Sequence, residues 1–148
     1  MSHHPAPIAR VPRANVDPIA TGTDALALVS LAITHPLQHE TVVIVLDEQR
    51  LGSIITVVSG TQHVDVCTVI ERFCIAALET CADAGATPAA LVVATVRPTG
   101  ATRPGDVDRW LEASSLAETF GLELLEWFVI GPAGPECPRD LIGEPERW

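Results

Sequence analysis

The chain has 148 residues, 47% of them hydrophobic, and a net charge of −10, which fits one domain able to bury roughly 70% of its unfolded surface without a disulfide or metal staple. That charge opposes nucleic acid as a partner, because phosphate-backbone binding is driven by cations. No run approaches 18 apolar residues and the start, MSHHPAPIARVPR, has no apolar signal region, so the expectation is a cytoplasmic protein with no membrane span and no secretory leader.

Residues 1–18 hold four prolines and two arginines with little periodicity and are expected to form a flexible N-terminal arm. Thr23-Asp24 is a plausible N-cap pair, and the apolar run Ala25 to Thr34 predicts a short buried helix that Pro36 ends. Thr41 to Leu46 is a continuous β-branched run, the pattern of a strand buried on both faces. Asp47 to Gly52 supplies a turn, and Ser53 to Val58 a second strand, so the pair predicts a hairpin.

From Asp65 to Ala84 the spacing turns helical, with Val66, Ile70, Phe73, Ala77 and Cys81 stepping by three or four and Gly85 as a natural stop. Cys67, Cys74 and Cys81 recur every seven residues, about 10 Å apart along a helix, too far for a disulfide or a shared zinc. They are expected to be reduced, buried and structural, and Cys137 belongs to no CxxC motif. Ala90 to Val96 predicts a third strand, Arg97 to Gly105 a Pro/Gly-rich loop, Asp106 to Phe120 a helix and Leu122 to Ile130 a fourth strand. The order α-β-β-α-β-α-β implies an α/β fold, one mixed β-sheet with flanking helices. The last eighteen residues hold four prolines and three glycines, so 132–148 is expected to be an extended Pro-rich tail.

The loop after the third strand is the most informative stretch, because a strand end meeting a helix start is where α/β proteins gather ligand-binding groups. It reads Thr95-Val-Arg97-Pro98-Thr99-Gly100-Ala-Thr-Arg103-Pro104-Gly105-Asp-Val-Asp108. This pattern resembles the RadC-like JAB/MPN domains, in which a strand runs into His-x-His-Pro-Ser-Gly, then Pro-Ser and a helix-borne aspartate. Pro98, Thr99 in place of serine, Gly100, Pro104 and Asp108 match it, and ten residues separate Arg97 from Asp108 as in the family. His39-Glu40 before VVIVLD, Ser59-Gly60-Thr61 and LELLEWFVIG look like further landmarks, so the resemblance spans roughly residues 18–131. It implies the MPN/JAB (cytidine deaminase-like) fold over 19–131, and a zinc site of two histidines and an aspartate with a glutamate activating the bound water.

Here Thr95 and Arg97 stand at the histidine positions. Zinc takes Cys, His, Asp or Glu ligands, and a guanidinium has no lone pair to give. The degenerate site is therefore Glu40, Thr95, Arg97, Thr99 and Asp108, with no confident catalytic residue, no metal and no cofactor. Glu40 aligns with the family glutamate, Thr99 with its oxyanion-holding serine. His35 and His39 flank Pro36, His63 is isolated, and His3-His4 lie in the arm, so none is read as a ligand. There is no nucleophile elbow, Walker loop or dinucleotide fingerprint.

The expectation is a non-catalytic pseudoenzyme acting through a protein or peptide partner or as a homodimer. Two alternatives remain: a metal-independent hydrolase using Thr99 or Cys67, and a DNA-repair-associated binding protein using Arg97, Arg103 and Arg109. Ion pairing of those arginines with Asp106 and Asp108 is the simpler account of the cluster. In particular, Arg97 is expected to replace zinc as the site's cation by pairing with Asp108, and with Glu40 if it lies close.

Overall fold

A computed structural model describes residues 11–85 and 87–148 of the chain. Helix α1 (Gly22–Ala32) is followed by the strands β1 (Glu40–Asp47) and β2 (Gly52–Ser59), helix α2 (Val66–Asp83) and strand β3 (Pro88–Val96). Helix α3 (Asp106–Thr119), strands β4 (Glu123–Gly131) and β5 (Gly134–Glu136), and a 3-10 turn at Pro138–Ile142 complete it.

The five strands form one mixed sheet in the order β2-β1-β3-β4-β5. β1 pairs antiparallel with both β2 and β3, while β3 and β4 run parallel across the α3 crossover. The continuous apolar runs of β1 and β3 are explained by this order, because both strands are interior and both faces are covered. Val43, Val45, Leu91, Val93, Leu124, Trp127 and Val129 face α2 and α3. Val42, Ile44, Leu46, Val92, Ala94, Phe128 and Ile130 face α1. The domain is thus a helix–sheet–helix sandwich with a core on each side of the sheet.

Helix termini follow local chemistry. Thr21, rather than Thr23-Asp24, caps α1: its hydroxyl accepts from Asp24 N at 3.1 Å, and the helix stops at Ala32, two residues before Thr34. Asp65 caps α2 by accepting from Cys67 N at 2.7 Å. Cys74 and Cys81 are buried and Cys67 half-buried, all as free thiols.

The two ends of the chain depart from expectation. Of the arm at 1–18, residues 1–10 lie outside the described residues. The rest is tied to the sheet edge: Pro18 bridges Leu51, and Asn15 N donates to Gly52 O at 3.2 Å. Residues 132–148 are not extended. β5 pairs with Val129–Gly131, and Arg139 Nε lies 2.9 Å from both oxygens of Glu126, a buried carboxylate on β4. Trp110 Nε1 donates to Glu144 at 2.8 Å, and Arg147 donates to Ser114 Oγ and Leu124 O while stacking over Trp110. A guanidinium satisfying a buried carboxylate outweighs the irregularity of a Pro/Gly-rich composition. No helix among the described residues is long and apolar enough to cross a membrane.

Candidate functional site

A cleft of about 540 Å³ opens where β3 ends, between the N-termini of α2 and α3. The turn after β2 forms its opposite wall, carrying Thr61, Gln62 and His63. That turn is anchored by Gly60 N donating to His39 O at 2.8 Å and by the buried Thr41–Thr61 hydroxyl pair at 3.0 Å. β2 and β3 run in the same direction on either side of β1, and each feeds a helix N-terminus, so the crevice opens at that end of the sheet.

Thr95 and Arg97 have the parity of Leu91 and Val93, so both point to the α2/α3 side and line the cleft. Trp127 Nε1 donates to Thr95 Oγ1 at 2.9 Å, which commits that hydroxyl. Arg97 Nη1 donates to Asp106 Oδ2 at 2.7 Å and Nη2 to Oδ1 at 2.9 Å, with a further bond from Nη1 to Ala101 O at 3.0 Å. The Arg97 and Asp106 side chains are 11% and 6% exposed, so the pair is largely withdrawn from water. Asp106 Oδ2 also accepts from Arg103 N at 2.6 Å, folding the loop over the head of α3.

The expected partner of Arg97, Asp108, is not the observed one. Asp106 and Asp108 are about 200° apart around the helix, and Asp108 stands exposed at the cleft rim with no hydrogen bond from Arg97. Glu40 also lies elsewhere. It shares the parity of Val42 and Ile44, points to the α1 side, and accepts from Thr34 N at 2.6 Å and Thr34 Oγ1 at 3.0 Å. Its neighbour His39 lines the cleft in its place. Thr99 is exposed at the loop tip and is not among the lining residues.

The three arginines of this region are divided. Arg97 is held by Asp106, and Arg109 bridges Asp65 at 2.7 Å and Glu112 at 2.6 Å, stapling the head of α3 to that of α2. Arg103 is the one whose side chain has no ion pair among the described residues. Cys67 is no activated nucleophile: burial, with the Asp65 carboxylate adding to it, pushes its thiol up to about 12, so it stays protonated near neutral pH.

The residues present do not fit zinc. At the three positions the resemblance assigns to ligands, the hydroxyl of Thr95 already bonded to an indole, the guanidinium of Arg97 and the carboxylate of Asp108 are not a tetrahedral N/O/S donor set. Among the described residues no group of three or more His, Cys, Asp or Glu is placed to hold a metal ion. Sequence reasoning named Asp106 only as one of two ion-pair partners for the arginine cluster, and it missed Asp65 and Trp127 as parts of the cleft. Asp106 carried a usable signal, since an acidic residue directly after Gly105 and opening a helix is positioned to turn back on its own loop.

No protein-family model and no curated protein matches this chain.

Proposed function

We propose that the protein is a non-catalytic, RadC-like JAB/MPN-type domain that binds a protein or peptide segment in the cleft beside β3. The observation that carries this is the Arg97–Asp106 pair. A fixed guanidinium–carboxylate fork occupies the loop in which the resembled family presents its metal ligands, which supports a reading without metal chemistry. The cleft offers Arg103, which has no ion pair among the described residues, and the rim groups His39, His63 and Asp108. Such a surface recognises polar and acidic side chains along an extended chain. A cytoplasmic location belongs to the same proposal.

Neither alternative gains an observation. A metal-independent hydrolase needs a base beside Thr99 or a depressed thiol at Cys67, and Cys67 is displaced the other way. A DNA-binding role needs free cations, and two of the three clustered arginines are neutralised by carboxylates.

The test is selection of a displayed random-peptide library on the purified chain. Enriched peptides should lose binding at least about tenfold on Arg103→Glu, about 1.4 kcal/mol. Absence of enrichment, or enrichment indifferent to substitutions at Arg103 and His63, contradicts the proposal, as does hydrolysis of the selected peptides.

A further inference from the structure

The two edges of the sheet are finished differently. β4 is covered by β5 at Val129–Gly131, and Arg147 caps Leu124 O at 2.9 Å. Among the described residues the outer side of β2 is paired only at its start, where Pro18 bridges Leu51 and Asn15 N bonds Gly52 O, while Pro12, Arg13 and Ala14 share a small cleft with Ile55. From Ser53 to Ser59 no other described strand pairs with its outer side. Proteins defend such edges with charge or proline, and Ser53-Ile-Ile-Thr-Val-Val-Ser59 contains neither, in a chain of net charge −10.

The segment is also symmetric by residue class about Thr56: hydroxyl, two β-branched, hydroxyl, two β-branched, hydroxyl. A two-fold interface uses the same patch twice, so it requires a self-complementary surface. Antiparallel pairing about Thr56 sets Ile55 against Val57, Ile54 against Val58, Ser53 against Ser59 and Thr56 against its own copy. Ile55 and Val57 are 41% and 38% exposed in the single chain, and each would cover the other's counterpart. Leu31 of α1, 71% exposed, lies one turn beyond Leu28, which shares a small cleft with Ile55. β-branched cross-strand pairs of this kind are the favourable unit of antiparallel sheets.

We propose that β2 is a homodimer interface, in which two copies pair Ser53–Ser59 antiparallel about a two-fold axis at Thr56 and merge their sheets into one. Self-pairing at β2 is independent of whatever the cleft binds. Seven residues span about 24 Å at ~3.4 Å each. With one flanking helix layer the contact reaches roughly 500 Å² per copy, below the ~800 Å² of a standard interface, so the dimer is expected in the micromolar range.

Sedimentation equilibrium of the full chain over about 1–200 μM, where mass action moves the equilibrium, should pass from 15.7 kDa towards twice that mass. Ile55→Lys with Val57→Lys sets like charges opposite one another and should weaken pairing at least about 100-fold. Mixing that variant with Ile55→Glu/Val57→Glu should restore a heterodimer. Leu141→Lys, at an exposed residue beyond β5, should leave the wild-type equilibrium unchanged. Should either double variant fail to fold by circular dichroism, hydrogen exchange of the wild type decides, with amides of residues 53–59 becoming slower as concentration rises. A monomer throughout, a dimer that survives the lysine pair, or amides protected to the same degree at every concentration overturns the proposal. The last of these outcomes would assign the edge to the chain's own residues.

Discussion

The Arg97 guanidinium and the Asp106 carboxylate meet fork to fork, at 2.7 and 2.9 Å, at the head of α3. Nine positions separate them, and the loop between is closed further by Arg97 donating to Ala101 O. Removing the arginine leaves a carboxylate that is 6% exposed without its cation. Arg97→Ala is therefore expected to cost about 3–5 kcal/mol in urea denaturation. Asp108→Ala, at an exposed carboxylate, should change stability by no more than about 0.5 kcal/mol. Equal losses at the two positions would contradict the assignment.

Gly131 ends β4 where the carbonyl of Gly100 passes over it, so a Cβ there would collide with backbone rather than with a movable side chain. Arg97 N donates to Ile130 O at 2.8 Å in the same place, which holds the cleft loop against the strand. Gly131→Ala is expected to destabilise by at least the ~1–3 kcal/mol of an overpacked site. A thermal melt should show the midpoint falling by roughly 2–4 °C per kcal/mol.

Glu144 fastens the C-terminal segment, and its carboxyl is held below the ordinary range, first by the Trp110 indole N–H and also by Arg147. A carboxyl depressed in the fold contributes stability above its unfolded value of about 4.3, and loses that contribution as pH falls through the folded value. Glu144→Gln should cost about 1 kcal/mol at pH 7, with the gap from wild type closing in acid. Glu126 has the opposite sign, because burial raises its carboxyl against the hydrogen bonds from Cys137 and Arg139. Its contribution is complete below about pH 4.3 and declines as pH rises through its folded value. Denaturation of Glu144→Gln and wild type side by side from pH 3 to pH 7 isolates the Glu144 part, and a constant gap would contradict it.

All four cysteines are free thiols. Burial pushes Cys67 and Cys137 up to about 12 and Cys74 to about 11, with Asp65 and Glu126 adding to the first two. Thiolate is the reactive form, so Ellman's reagent at pH 8 should modify the native protein far more slowly than the denatured chain, which should yield four equivalents. A rapid native burst would contradict this environment.

The elements that sequence made legible are those whose pattern is set by burial. Val42–Leu46 and Leu91–Ala94 read as strands because interior strands are apolar on both faces, and of the helical spacing Val66, Ile70, Phe73, Ala77 and Cys81 all but the half-buried Phe73 lie on the buried face of α2. β5 was not legible: Gly134-Pro135-Glu136 has no strand propensity, and pairing with Val129–Gly131 imposes its state. Nor was the docking of the C-terminal segment, which depends on Arg139 meeting Glu126 thirteen positions away. At the cleft, parity separated success from failure. Thr95 and Arg97 fell on the predicted side, whereas Glu40 lies one residue out of phase with His39 and so faces α1. The sequence places the helix start at Asp106, as observed, but the family's spacing assigns Arg97 to Asp108, which lies about 200° from Asp106 around that helix.

Arg97 and Asp106 hold the loop after β3, where the proposed JAB/MPN likeness would place zinc ligands. Calorimetric titration of zinc into the wild-type chain and into Thr95→His/Arg97→His tests it most directly. The wild type should show no saturable site, while the double variant, with Asp108 at the same rim, should gain measurable affinity. A wild-type chain that takes up about one zinc per molecule, and loses it on Asp108→Ala, would contradict the account.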